Sequence, residues 1–204
     1  MLSYGTRAMV VAVVGGCAAI LLPTAVRADE QLEFRCPKPD TVIEFTDGGG
    51  TITFGAPDGM WCVGTDERGQ SFRRYAMLAG PNATWASFIE NHVERIWPLQ
   101  LGKEISFTHK GSASNQGGGV SADTPFWYTD RITVARKERL TVEAGTYDTW
   151  VIEDHQDVPR GGVAALRTYW YAPEIGFAIK YTYHIALGVG KDIAFEARRV
   201  EVPR

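Results

Sequence analysis

The amino-acid sequence predicts a mainly β protein: a single antiparallel curved sheet, half-barrel or sandwich, with one amphipathic helix packed on it. Three observations predict this fold class. Apolar and polar residues alternate along 179–185 and 195–202, which is typical of strands that have one buried and one solvated face. Elsewhere, β-branched and aromatic runs flank turns rich in glycine. One segment, 85–97, carries its apolar side chains at helical spacing instead.

The beginning of the chain predicts a secretory signal peptide that ends at residue 28. Arg7 supplies a positive charge, and residues 8–22 form an unbroken run of apolar and small residues that Pro23 ends. Val26 and Ala28 then occupy the −3 and −1 positions of a cleavage site. The apolar run has about 15 residues, whereas a membrane-spanning helix needs roughly 20.

Residues 29–204 are therefore expected to form a single β-rich domain, periplasmic or secreted, with no integral membrane segment after signal cleavage. The alternative is a lipoprotein signal, because residues 14–17 loosely resemble a lipobox and Cys17 would then be acylated and anchor the protein. Against the alternative, the apolar run continues beyond Cys17, where lipoproteins normally become polar.

The charge of the exported part excludes one class of partner. Two of the 21 basic residues and none of the 24 acidic residues precede the cleavage site, so the net charge changes from −3 to −5 on cleavage. A mildly acidic domain has no electrostatic basis for binding nucleic acid.

Cys36 and Cys62 are the two cysteines that remain after cleavage. An even pair in an oxidising compartment is most simply a disulfide. A redox pair or a metal site would be the alternative, but there is no Cys-x-x-Cys spacing and no histidine close in sequence to either cysteine. The bond would join the N-terminal edge of the sheet to its third strand. No metal or cofactor is expected.

The strands follow from β-branched and aromatic runs bounded by turn residues. Asp47-Gly48-Gly49-Gly50 and Asp66-Glu67-Arg68-Gly69 are the first two hairpin turns, and the Gly- and Ser-rich residues 111–121 predict a flexible loop. The predicted strands are 41–45, 51–54, 60–63, 71–78, 103–109, one or two within 126–142, then 146–154, 165–172, 176–185 and 193–202.

The predicted helix at 85–97 has Thr84 as its N-cap and ends at Pro98. We expect it to close one end of the sheet or to cover one face. Its apolar stripe consists of Trp85, Phe88, Ile89, Val93, Ile96 and Trp97.

Two motifs in the C-terminal half resemble a known pattern. Residues 142–150 read VEAGTYDTW and residues 169–176 read YWYAPEIG. This resembles the V-x-A-G-x-(F/Y)-x-T … W-Y-x-P-x-x-G pattern of uncharacterised periplasmic and lipoprotein-like domains of proteobacteria. Residues 96–103, IWPLQLGK, resemble the W-P-L-x-x-G segment of similar proteins. The resemblance covers roughly half of the exported chain. It implies a curved antiparallel sheet or half-barrel with a helix against it, and it supplies no catalytic residue.

Glu153, His155 and Asp157 form the densest cluster of candidate catalytic or metal-ligating residues. Alternate residues of a strand point to the same face, so the three can share one. They are the candidates for an enzyme with a motif-less site, either a hydrolase or metal-dependent, while a solvated strand end is the structural alternative. No zinc-protease motif, nucleophile elbow or phosphate loop appears in the chain.

Aromatic residues provide the second candidate site. Trp150, Trp170 and Tyr181 are spread over strands that should be neighbours, and they are predicted to line the concave face of the sheet. Packing in the core is the alternative for each of them. We therefore favour a non-catalytic binding or structural module for an envelope component, which is a glycan, a lipid or a protein, over the enzyme.

Overall fold

The computed structural model describes residues 30–76, 92–111, 126–157, 163–186 and 191–204. The predicted signal peptide, the predicted helix up to residue 91 and the predicted loop beyond residue 111 lie outside the described residues. Among the described residues, no helix is both long and apolar enough to cross a membrane.

Ten strands form one antiparallel sheet, which confirms the predicted class. The strand order is β4-β3-β2-β1-β10-β9-β8-β7-β6-β5, and the edge strands β4 and β5 do not pair, so the sheet is not closed. The strands are β1 Val42–Phe45, β2 Thr51–Phe54, β3 Trp61–Asp66, β4 Ser71–Tyr75, β5 Glu104–Gly111, β6 Phe126–Val142, β7 Gly145–Asp157, β8 Val163–Ala172, β9 Phe177–Ile185 and β10 Ile193–Glu201. The 126–142 segment is a single long strand whose pairing with β7 shifts between Val134 and Arg136.

The sheet is strongly curled. The rings of Phe54 in β2 and Phe177 in β9 have their centroids 4.9 Å apart, although β1 and β10 lie between these strands. In a flat sheet, three strand spacings would separate them by about 14 Å. The concave side that holds these two rings is called the inner face, and the opposite side the outer face.

One end of the curled sheet is closed by the segments that precede β1 and β5. The Trp97 ring packs edge-on against Tyr171 at 5.2 Å and against Phe34 at 5.0 Å. Leu32 and Leu99 exchange backbone hydrogen bonds of 3.0 and 2.8 Å. The fully buried side chains around them include Ile43, Phe54, Ile96, Ile152, Tyr171 and Ile179.

Helical structure contributes little to the described part of the chain. A 3₁₀ turn spans Glu94–Ile96. Val93, Ile96 and Trp97 of the predicted apolar stripe are buried, whereas Glu94 and Arg95 are exposed, as the spacing predicted. The amphipathic helix is therefore a minor addition to a β fold.

The predicted disulfide is present between Cys36 and Cys62, with their Cα atoms 5.3 Å apart. It joins the segment before β1 to β3. Gly176 in the β8–β9 turn has φ +82°, and a Cβ atom there would lie 2.8 Å from the backbone of Cys36. Glycine is needed at this position both for the turn and for the close approach of the disulfide segment.

The connections of the sheet alternate between its two ends. Five connections leave from the end opposite to Trp97: those between β1 and β2, β3 and β4, β5 and β6, β7 and β8, and β9 and β10. This end is called the loop end, and the end that contains Trp97 and Gly176 is called the closed end.

Candidate ligand-binding site on the inner face

Near the loop end, the inner face carries a group of five polar side chains from four neighbouring strands, four of them buried and Arg167 half-buried. The group, called the polar cluster, consists of His109, Asp130, Asp154, Gln156 and Arg167. Asp130 pairs with Gln156 across β6 and β7, and Asp154 pairs with Arg167 across β7 and β8. Directly paired residues of neighbouring strands point to the same face, so register brings these side chains together.

Hydrogen bonds connect the residues of the polar cluster in two groups, one centred on Asp130 and one on Asp154. The Nε2 atom of His109 lies 2.6 Å from Oδ2 of Asp130, and Nε2 of Gln156 donates to Oδ1 of the same carboxylate at 3.2 Å. Arg167 donates to Oδ2 of Asp154 at 3.0 Å. The other oxygen of Asp154, Oδ1, is buried and has no hydrogen-bond partner among the described residues.

Burial and charge shift the protonation equilibria of the Asp154–Arg167 pair. Burial first, and then the neighbouring Asp130 carboxylate, raise the pKa of Asp154 to about 6, although Arg167 opposes the shift. Burial lowers the pKa of Arg167, but the facing Asp154 more than offsets this effect, so that pKa lies above its ordinary value. Arg167 is therefore a permanent cation beside a carboxyl that changes its protonation state near pH 6.

A row of four rings crosses the inner face beside the polar cluster. The ring centroids are 5.2 Å apart for Phe45 and Phe195, 5.1 Å for Phe195 and Tyr181, and 5.0 Å for Tyr181 and Tyr169. These residues, called the aromatic row, belong to four adjacent strands, β1, β10, β9 and β8. Tyr169 and Arg167 are two residues apart on β8 and therefore point to the same face, so the row ends at the polar cluster.

The other end of the aromatic row opens into a cavity of about 390 Å³ at the loop end, called the rim cavity. Pockets for small ligands are typically about 300–1,000 Å³ in volume. The lining residues are Phe45, Gly48, Gly49, Gly50, Ile52, Asp66, Glu67, Arg68, Phe72, Arg74, Phe177 and Phe195. The cavity, the row and the polar cluster thus follow one another along the inner face from the rim to the interior, and this succession is called the path.

The phenol groups of Tyr169 and Tyr181 are influenced by the charges of two arginines. Burial raises the pKa of both phenols, while Arg167 and Arg74 act in the opposite direction. Both hydroxyls are therefore protonated donors at neutral pH. Within the part of the chain that the structure describes, neither hydroxyl forms a hydrogen bond.

The three aromatic residues that the sequence predicted as ligand contacts do not share one face. Trp150 pairs with Tyr171, so the preceding residue of β8, Trp170, points to the opposite side of the sheet. Tyr181 pairs with Tyr169 and lies in the aromatic row. The sheet therefore brings Trp150 and Tyr181 to the inner face and Trp170 to the outer face. Ligand binding by any of them stays a prediction.

The environments of the two tryptophans also differ. Trp150 is only 4% exposed, and Nζ of Lys137 lies 4.0 Å from its ring centroid. It lines a second cavity, of about 420 Å³, near the closed end. The half-buried Trp170 donates from Nε1 to Glu138 at 2.6 Å, and Nζ of Lys180 lies 5.3 Å from its ring.

Glu153, His155 and Asp157 lie on the outer face, where each is half-buried. Nε2 of His155 lies 3.7 Å from Glu153, which also pairs with Arg136 at 2.9 Å. Asp157 pairs with Arg131 at 3.4 Å. Among the described residues, no three His, Cys, Asp or Glu side chains are arranged to hold a metal ion.

The fold and the site together define a class of protein: an open, curled antiparallel sheet of ten strands with a polar cluster inside it. No family model matches the sequence, and a search of curated proteins found no match. Among solved structures, the chain is similar to the hypothetical lipoprotein YmcC from Escherichia coli, with a TM-score of 0.45 and 11% identity over 80% of this chain and 84% of that one.

Two further solved structures are similar at 11% identity. One is a provisionally assigned exported protein with a YmcC-like fold from Bacteroides fragilis, with a TM-score of 0.36 over 83% of this chain and 99% of that one. The other is a provisionally assigned lipoprotein from Parabacteroides distasonis, with a TM-score of 0.37 over 84% and 100%. At these scores the likeness identifies neither a family nor an activity.

Proposed function

We propose that this protein is an exported, non-catalytic module that binds an envelope component on the inner face of its sheet, at the loop end. The observation that carries the proposal is the path from the rim cavity along the aromatic row to the polar cluster. The envelope component is a glycan, a lipid or a protein segment, and the signal peptide supplies the compartment.

The unsatisfied polar groups at the inner end of the path support a ligand there. Buried polar atoms in folded proteins almost always have a hydrogen-bond partner. Oδ1 of Asp154 is a buried acceptor with no partner among the described residues, and the hydroxyls of Tyr169 and Tyr181 lie close to it on the same face. An acceptor atom of a bound molecule would satisfy the two hydroxyls, and a donor atom, from the ligand or from water bound with it, would satisfy Oδ1 of Asp154.

The contacts of the outer-face acidic residues favour binding over catalysis. Glu153 and Asp157 each pair with an arginine. A general base or a metal ligand in this position would first have to leave that ion pair. The enzyme alternative at Glu153, His155 and Asp157 is thus an outcome for the experiment to test.

Nuclear magnetic resonance titration of the isotope-labelled exported protein tests the proposal. Muropeptides, envelope oligosaccharides and short-chain phospholipids form the panel, and we expect one of them to shift resonances of Phe45, Tyr169, Tyr181 and Phe195. Phe195→Ala interrupts the aromatic row and should abolish the response. Trp170→Ala, which changes an aromatic residue of the outer face, is the matched control and should retain it.

Three results would contradict the proposal. Shifts centred on Trp170 would move the site to the outer face, and an absence of shifts with the whole panel would argue against a binding module. Turnover of any panel member that is lost in Glu153→Gln or His155→Ala would show an enzyme instead.

A further inference from the structure

We propose that the ligand of this inner-face site is an anionic amphiphile, a long-chain carboxylate. Its carboxylate would contact Arg74, Tyr169 and Tyr181, and its apolar chain would fill the rim cavity. The inference rests on the proposed function and specifies the chemistry of the ligand.

Two cations, Arg68 and Arg74, line the rim cavity, and Arg74 is the one that belongs to a strand. It pairs in register with the buried Cys62, which places it on the inner face, and it lines the rim cavity. Within the described part of the chain, Arg74 forms neither a hydrogen bond nor an ion pair. Its neighbour Arg73 points to the other face, pairs with Asp58 at 3.0 Å and covers the ring of Trp61 at 4.4 Å.

The acidic residues that line the same cavity are engaged elsewhere. Oδ1 of Asp66 accepts hydrogen bonds from the backbone of Arg68 at 2.9 Å and of Gln70 at 2.8 Å. Glu67 accepts one from the backbone of Thr51 at 3.1 Å. These carboxylates stabilise the β3–β4 turn and its neighbouring strand, and neither of them forms an ion pair with Arg74 in the described part of the chain.

Two hydrogen-bond donors complete the anion site. The rings of Tyr169 and Tyr181 lie 5.0 Å apart, and Tyr181 packs at 5.1 Å against Phe195, which lines the rim cavity together with Arg74. Arg74 acts electrostatically on both phenols. A guanidinium with two phenol hydroxyls is a donor set suited to a carboxylate. The nearby Asp154 is paired with Arg167, so this ion pair adds no net negative charge.

The residues that line the cavity determine which chemical group can accompany the carboxylate of the ligand. Phe45, Phe72, Phe177 and Phe195 surround it with phenyl rings, which offer no conventional hydrogen bonds. Asp66, Glu67 and Arg68 also line the cavity. The hydroxyls of a sugar acid that face the phenyl rings would lose their water without compensation, whereas an alkyl chain is favoured by burial. The four phenylalanines therefore favour a fatty carboxylate over a uronic acid.

Titration with three small probes tests the inference. Octanoate has the carboxylate and the chain, 1-octanol has only the chain, and glucuronate has only the carboxylate on a sugar ring. We expect wild-type protein to bind octanoate, to bind octanol about tenfold more weakly or worse, and to show no response to glucuronate. All probes are used below the concentration at which they form micelles or separate.

Substitutions on one strand provide the controls. Arg74→Gln should weaken octanoate binding about tenfold and leave octanol binding unchanged, and Arg74→Lys should restore part of the loss because the charge is retained. Arg73→Gln removes a charge from the adjacent residue on the other face and should bind like wild type.

The outcomes separate this inference from the proposed function. Unchanged octanoate binding in Arg74→Gln, equal binding of octanol, or a preference for glucuronate would each overturn the carboxylate amphiphile. If a neutral panel member shifts the aromatic row while octanoate does not, the inference is wrong and the proposed function stands. If neither the panel nor the probes bind, both are wrong.

Discussion

Five consecutive residues of β7, Glu153 to Asp157, belong to two different environments. Glu153, His155 and Asp157 face outwards, where water reaches them and arginines pair with both carboxylates. Asp154 and Gln156 face inwards and are buried in the polar cluster. The same types of side chain thus lie on opposite faces because successive residues of a strand alternate.

This comparison shows how strongly the position of a polar residue determines its contribution to the stability of the fold. An ion pair near water gains little, because solvent screens the charges and long side chains lose entropy. A buried carboxylate is costly without its partners, so its hydrogen bonds become essential to the fold. Three pairs of variants on the two faces, and one outer-face variant at two salt concentrations, break or sharpen this contrast.

The largest difference is expected between the two tryptophans of the neighbouring strands β7 and β8. Trp150→Ala should lower the free energy of unfolding by about 3–5 kcal/mol, because it removes a buried ring from the core. Trp170→Ala on the outer face should cost about 1–2 kcal/mol, because that ring is only partly buried. Urea denaturation of both variants measures the difference. Equal losses would mean that the outer face is packed like the inner one.

Removal of a carboxylate should also lower the free energy of unfolding more on the inner face than on the outer face. Asp130→Ala takes away the group that binds both His109 and Gln156, and should cost about 3 kcal/mol. Asp157→Ala on the outer face breaks the pair with Arg131 and should cost less than about 1 kcal/mol. A cost below 1 kcal/mol for Asp130→Ala would show that the polar cluster does not stabilise the fold.

Asp154 should make stability depend on pH. Its pKa is raised from 3.8 to about 6 in the folded protein. Below about pH 4 the carboxyl is neutral in both states, and between pH 4 and 6 the unfolded state ionises first. The contribution of this group to stability is therefore full at low pH and is lost as the pH rises through about 6.

The comparison of wild type with Asp154→Asn isolates this effect. The stability of the variant relative to wild type should rise by about 2 kcal/mol from pH 4 to pH 7. His109, Asp130 and Arg167 interact with Asp154, and both proteins retain them. Asp157→Asn is the outer-face control and should give a nearly constant difference. A stability difference between Asp154→Asn and wild type that does not change with pH would contradict the raised pKa of Asp154.

The smallest effect is expected on the outer face. Glu153→Gln removes one of the two carboxylates that pair with Arg136, while Glu138 remains. The cost should be about 0.5 kcal/mol and should shrink as salt rises from 0.1 to 1 M. Thermal unfolding at the two salt concentrations measures it. A salt-independent loss above 2 kcal/mol would place Glu153 among the buried groups.

Local features of the sequence predicted much of this fold. Alternation in 179–185 and the turn residues around Gly176 led to the correct strands, and the compartment led to the bond between Cys36 and Cys62. These features depend on residues close in sequence, so a chain read by itself displays them. For residues 126–142 the sequence left one or two strands open, and the structure shows a single strand.

Which residues form the candidate site could be determined only from the tertiary structure. Alternation showed that Glu153 and Asp154 face opposite ways, but only the curl of the sheet determined that Asp154 is the buried one. The same curl brings Arg74 of β4 into one cavity with Phe195 of β10, about 120 residues later in the chain. It also separates Trp150 from Trp170. Strand order and curvature arise from packing between distant residues, and that information is absent from the local pattern of any one strand.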